Sequence, residues 1–255
     1  MKTFDEMIRG SYDYREADYI ADPRWQVLER MYYMNHVYRN KDAKEGIPKK
    51  IHQIWCGERV FPNQYKRYAD SWVKFNPDWE YKLWTEDNLN DVEIPNRDVF
   101  DTIKNVGQRS DFLRYNILNQ FGGLYVDTDF ECLKSFNPLS HLDFFTGAGF
   151  PARVELYIGI IASIPHHPIV EHIIGAMTEA KAGGWREIFE TTGSYFFTRN
   201  FFEVVGNYME GVVAFPTDYF YPFPNQAGHE SRNGRDYIKE NSYAVHHWAV
   251  SWRKS

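Results

Sequence analysis

Gly122-Gly123-Leu124-Tyr125-Val126-Asp127-Thr128-Asp129 is the run that decides the fold. Leu124, Tyr125 and Val126 read as a buried strand that stops at two carboxylates one residue apart. Upstream, Gly107 to Phe121 has the pattern of a helix, closed by Gly122-Gly123 in the C-cap position. Helix alternating with strand signals an α/β domain with a mostly parallel central sheet flanked by helices. In open sheets of this kind ligands sit beyond the carboxyl ends of the strands, so Asp127 and Asp129 point at the expected site. Two carboxylates there need a partner, and a hard divalent cation, Mn²⁺ or Mg²⁺, is the natural one. A cation with few protein ligands keeps positions open for substrate phosphates. An Asp-x-Asp pair alone is common and is usually a solvated turn. The strand before it, and the glycine-capped helix before that, give this one its weight.

Working outward, Ser110-Asp111-Phe112-Leu113-Arg114-Tyr115 lies on the preceding helix, where Asp111 and Arg114 share a face. On a wet surface such a pair would contribute only a few tenths of a kcal/mol. That exposed pair is one reading; the other, given the flanking Phe112, Leu113, Ile117 and Leu118, is a partly buried pair in which Asp111 would accept sugar hydroxyls and Arg114 would reach a phosphate. Before this helix, Lys50 to Trp55 is a short buried strand stopped by Gly57. Gln64 to Lys74 is a helix ending at Asn76-Pro77, and Glu80 to Trp84 is a second strand. After it, strands are expected at Ile158–Ala162, Val212–Phe215 and Tyr243–His246, with helices over Pro168–Lys181 and Trp185–Phe189. The chain closes on His246-His247-Trp248 and Ser251-Trp252. Adjacent histidines on a strand face opposite ways, so one can enter a site while the other packs elsewhere. So His- and Trp-rich a tail looks like a lid or the last wall of a pocket.

Residues 1–45 differ from the rest and form a helical extension to a domain spanning 46–255. Asp22-Pro23 is a helix start, and Trp25, Leu28, Met31, Tyr32 and Tyr38 recur at helical spacing. A helix docked on the main domain is the favoured reading, and a surface touching membrane or a partner is the alternative. With 35 acidic and 29 basic residues, the net charge of −6 argues against a nucleic-acid binder. No stretch approaches the roughly 18 apolar residues of a membrane span, and the N-terminus lacks the apolar core of a secretory signal. Cys56 and Cys132 have no metal-ligand spacing and read as two free thiols in a cytoplasmic setting.

Taken together, several segments carry a resemblance. They are Ile47-Pro48-Lys49-Lys50-Ile51-His52-Gln53-Ile54-Trp55, Ser71-Trp72 with Asn76-Pro77, Ser110-Asp111 with Arg114-Tyr115, Gly122-Gly123 through Asp129, and His246-His247-Trp248 with Ser251-Trp252. In this order they resemble the DxD-containing sugar-binding glycosyltransferases of family GT32, from about residue 47 onward. The resemblance implies a GT-A fold, a retaining mechanism and a bound Mn²⁺ or Mg²⁺. The donor would be a nucleotide sugar, UDP-linked ahead of GDP-linked, and the acceptor a glycan or lipid-linked sugar, as in bacterial surface polysaccharide synthesis. Asp129 would be the main metal ligand, Asp127 would meet the metal or the donor ribose, and His246 would be the late ligand, with His247 also open. Asp111 and Arg114 would hold the donor sugar. Gln53 and Trp55 would line the nucleotide pocket, and Ser251 and Trp252 would reach the diphosphate. Thr192-Gly193-Ser194 resembles the family's Thr-Gly-Pro segment, with Ser in place of Pro. The rival readings are a nucleotide-sugar hydrolase and an inactive nucleotide-sugar binding module.

Overall fold

The structure is a computed structural model that describes residues 2–12, 14–37, 46–56, 60–149, 153–177, 185–224 and 234–249. Its strands are β1 (Lys50–Ile54), β2 (Glu80–Trp84), β3 (Gly123–Val126), β4 (Phe130–Cys132), β5 (Phe144–Gly149), β6 (Glu155–Ser163), β7 (Val212–Phe215) and β8 (Ala244–His246). Its α-helices are α1 (Phe4–Arg9), α2 (Glu16–Ala21), α3 (Arg24–Tyr32), α4 (Asn63–Phe75), α5 (Arg97–Thr102), α6 (Val106–Phe121), α7 (Pro168–Ala176), α8 (Trp185–Thr191), α9 (Ser194–Val204) and α10 (Thr217–Phe220). Six strands form one sheet in the order β2-β1-β3-β6-β5-β7, and β4 pairs with β8 in a second, two-stranded sheet. Within the large sheet β6 runs against its neighbours and the other five strands point one way. The sheet is therefore mostly parallel, the α/β architecture read from the sequence.

The junction between α6 and β3 shows why the chain turns where it does. Asn105 caps α6, its side chain accepting from Gly107 N at 2.9 Å and Gln108 N at 3.1 Å. Gly122 ends the helix at φ 59°, and a Cβ there would meet Pro165 Cδ at 2.7 Å. Gly123 follows at φ 98°, where a Cβ would lie 2.7 Å from the Lys50 carbonyl oxygen. Both positive φ and close packing require glycine, so the helix reverses directly into the strand. Beneath the turn, the indole N–H of Trp84 donates to His52 Nδ1 at 3.2 Å. This leaves Nε2–H to donate to the Gly122 carbonyl at 2.9 Å. Burial pushes the His52 pKa down to about 4, so the ring is neutral.

The described N-terminal helices pack on the sheet, while Tyr38 lies outside the described residues. Trp25, Leu28, Met31 and Tyr32 of α3 and Phe4, Met7 and Ile8 of α1 are buried in the same hydrophobic core as the sheet. Asn35, just beyond α3, donates to the carbonyls of Met209 and Val212 and accepts from Gly211 N, tying this segment to the start of β7. The expected strands and helices are all present. The helix expected to Lys181 is described as far as Ala176, and residues 178–181 lie outside the described residues. Sequence reading missed β4, β5, α1, α2, α5, α9 and α10. Phe144-Phe145-Thr146-Gly147-Ala148-Gly149 lacks strand alternation because both its faces are covered, and it is buried throughout.

Candidate active site

Because β6 runs antiparallel to β3, its N-terminal half passes the carboxyl end of β3. Val126 pairs with Ile160, and Asp127 N then donates to the Gly159 carbonyl at 2.8 Å. Gly159 makes room for the acid: a Cβ there would lie 2.9 Å from Asp127 Oδ2 and 3.0 Å from the Phe130 ring. A glycine inside a strand is a legible sign of such an approach. From the other side, Gln53 Nε2 donates to the Asp127 carbonyl at 3.2 Å, while its Oε1 accepts from Tyr81 OH at 2.7 Å. Gln53 is fully enclosed and supports the site from beneath.

Asp129 ends the turn into β4, and the pairing of β4 with β8 sets His246 opposite Phe130. His246 Nε2 lies 3.1 Å from Asp129 Oδ1, and Ala249 N donates to Oδ2 at 2.7 Å. Asp127, Asp129 and His246 each offer a ligand atom within 4.8 Å of the others. His246 stacks on Phe130 with ring centroids 4.5 Å apart, and its Nδ1 is buried without a hydrogen-bond partner. The next histidine faces away, as strand alternation requires. His247 Nε2 lies 3.1 Å from Glu131 Oε2, and its ring stacks on Tyr68 at 4.4 Å.

Asp111 and Arg114 of α6 are both buried and pair at 2.8 Å. Arg114 reaches Asp127 Oδ1 at 3.5 Å, donates to the Ile158 carbonyl at 2.6 Å and lies over the Tyr125 ring. Tyr125 OH donates to Asp127 Oδ1 at 2.6 Å, and Thr192 Oγ1 donates to Asp111 Oδ2 at 2.8 Å. The spacing i to i+3 thus delivers both side chains to the side of the sheet edge that holds Asp127. Neither Tyr125 nor Tyr221, whose buried ring stands edge-on to His246, carried a sequence signal beyond apolar character.

Electrostatics divide the group. Burial pushes the Asp111 carboxyl up to about 6, against the pull of Arg114. Burial also raises Asp127; Arg114 opposes this and the neighbouring Asp129 adds to it. At Asp129 burial is outweighed by His246 and by the hydrogen bonds from His246 and Ala249, so its carboxyl titrates below the usual value. Burial works against the charge on Arg114, but Tyr125, Asp127 and Asp111 outweigh it and keep the guanidinium charged. Asp111 and Asp127 both pair with the Arg114 guanidinium, and Asp129 adds a third carboxylate beside Asp127. Excess negative charge, oxygen and imidazole donors, an orphaned His246 Nδ1, and an Asp127 side chain still 29% exposed all fit a hard divalent cation with open positions.

Trp55 follows β1, whose His52 pairs with Tyr125 of β3, and so reaches the same strand-end edge. Its half-buried ring packs against Phe61 and Tyr65 at 5.4 and 5.5 Å. Ser251 and Trp252 lie outside the described residues. The described part of the tail closes on Trp248, which has φ 54° and donates its indole N–H to the Phe223 carbonyl at 2.8 Å.

Residues 62–145, which hold Asp111, Arg114, Asp127 and Asp129, match the glycosyltransferase sugar-binding region containing the DXD motif. Over these residues the chain is similar to the DXD-containing glycosyltransferases. Its fold is of the GT-A type. The PaToxG glycosyltransferase structure superposes with a TM-score of 0.56 at 18% identity, covering 75% of this chain and 81% of that one. Among curated relatives, an uncharacterized glycosyltransferase of Acanthamoeba polyphaga mimivirus is 32% identical over 51% of this chain and 55% of its own length. Inositol phosphoceramide mannosyltransferase 2 of Schizosaccharomyces pombe is 32% identical over 54% of this chain and 41% of its own. A mannosyl phosphorylinositol ceramide synthase of Saccharomyces cerevisiae is 30% identical over 53% and 36%. The chain thus spans about half, or less, of the length of these relatives.

Proposed function

We propose that this chain is a DXD glycosyltransferase that uses Mn²⁺ or Mg²⁺ to transfer a hexosyl group from a nucleoside diphosphate sugar to a hydroxyl of a glycolipid or glycan acceptor. The observation that carries the reading is the meeting of Asp127, Asp129 and His246 with the buried Asp111–Arg114 pair at one sheet edge. Asp129, His246 and Asp127 would hold the cation, which as a Lewis acid would neutralise charge on the departing diphosphate. Arg114, held by Asp111 and the Ile158 carbonyl, is preorganised to offer positive charge beside it. Asp111, oriented by Thr192, would accept hydroxyls of the donor sugar. Asp111 and Asp129 are each engaged by partners, which favours front-face transfer with retention over attack by a carboxylate nucleophile.

A relative named an inositol phosphoceramide mannosyltransferase supports a hexose as the sugar and a glycolipid as the acceptor. The two free cysteines suit a reducing compartment, and the proposal places the reaction there. No described helix is long and apolar enough to cross a membrane. The test is calorimetry of UDP- and GDP-hexoses with and without Mn²⁺, followed by product NMR with an added glycolipid acceptor. Metal-dependent donor binding and a product with the donor's anomeric configuration are expected. Equal binding in EDTA, or an inverted product, overturns the corresponding part.

A further inference from the structure

Thr192-Gly193-Ser194 lies between the donor-sugar pair and a second buried carboxyl that the proposed reaction does not use. On one side Thr192 Oγ1 donates to Asp111, and the Thr192 carbonyl accepts from Tyr115 OH at 3.0 Å. On the other, the Ser194 hydroxyl donates to the carboxyl of Glu155 in a short hydrogen bond. Glu155 opens β6, the strand whose Ile158 carbonyl holds Arg114 and whose Gly159 lies against Asp127. Among the described residues Glu155 forms no ion pair, and burial pushes its carboxyl up to about 7. A buried carboxyl is costly unless it is hydrogen-bonded or paired; Ser194 supplies the hydrogen bond here, and Arg153 acts on the carboxyl only through space.

We propose that Glu155 is a positioning residue for the donor sugar: through Ser194 it pins the Thr192-Gly193 turn to β6, and so fixes the carboxylate of Asp111. The inference rests on the donor-sugar reading of Asp111 and Arg114 given above. It explains what stands in for the proline of the resembling segments. Ser194 is the first residue of α9, where an N–H has no partner within the helix, and Gly193 before it is extended at φ −83°, ψ −157°. Proline suits both conditions, since it favours the first helical position and an extended residue before it. A turn that is not held by a proline ring is held here by a side-chain link.

The test compares, by calorimetry with Mn²⁺, the nucleotide sugar the wild type binds best with its free nucleoside diphosphate. Glu155→Ala is expected to weaken the nucleotide sugar about tenfold, on the order of one lost hydrogen bond, and to leave the nucleoside diphosphate within about twofold. Glu155→Gln still presents an acceptor oxygen and stays near wild type. Ser194→Pro in the Glu155→Ala background restores most of the sugar affinity, which a merely structural defect would not allow. Should Glu155→Ala not fold, Ser194→Ala cuts the same link and carries the same expectation. Equal weakening of both ligands, or of neither, overturns the inference. A wild type that binds no UDP- or GDP-hexose overturns the parent reading instead, and this inference with it.

Discussion

The helix side and the strand side of the site are built on opposite electrostatic plans. On α6, Asp111 and Arg114 are dry and already paired, and Thr192 takes a remaining acceptor position of the carboxylate. At the ends of β3 and β8, Asp127, Asp129 and His246 crowd together with surplus negative charge and an unpartnered His246 nitrogen. A satisfied buried pair is rigid and suits recognition of neutral hydroxyls. A cluster with surplus negative charge gains most when something positive completes it. The strand side is thus the half that would hold the proposed cation.

The largest effect expected from breaking this contrast is on stability. Arg114→Ala strands Asp111 in the interior and should cost about 3–5 kcal/mol by urea denaturation, because the remaining charge is buried and unpaired. In the metal-free protein Asp129→Asn should cost far less, since it relieves repulsion with Asp127. Equal costs would erase the contrast.

The scaffold shared by both halves has its own pH signature. His52 has a folded pKa lowered from 6.5 to about 4. The unfolded chain therefore binds more protons at this residue between those values, and stability falls as pH drops through that window. The full swing is about 3 kcal/mol, measurable as unfolding free energy between pH 7 and pH 4. His52→Asn should flatten the slope. Asp129, whose carboxyl is lowered, contributes stability that is lost only as pH falls below its ordinary value near 3.8.

On the strand side, Asp129→Ala should weaken Mn²⁺-dependent nucleotide-sugar binding by 100-fold or more, about 2.7 kcal/mol. Undiminished, EDTA-insensitive binding by that variant would falsify the metal assignment. The smallest effect separates the two histidines. His246→Ala should lower Mn²⁺ affinity about tenfold, while His247→Ala, directed at Glu131 and Tyr68, should leave it within about twofold.

Much of the protein was determined locally and is legible in its sequence. Gly122-Gly123 can end α6 and start β3 only because glycine tolerates positive φ, so the strand-end position of Asp127 and Asp129 follows from neighbours in the chain. The i to i+3 spacing puts Asp111 and Arg114 on one helix face, and alternation separates His246 from His247. Tertiary structure alone decided which histidine meets the acids, since that depends on the register of β8 against β4, whose pairing residues lie more than a hundred positions apart. It also decided that β6 runs backwards, bringing Gly159, Ile158 and Glu155 to the edge where β3 ends. β5 left no periodic trace because a strand covered on both faces loses the polar alternation that marks a surface. Long-range register is set by the packing of whole faces, and no short window of residues contains it.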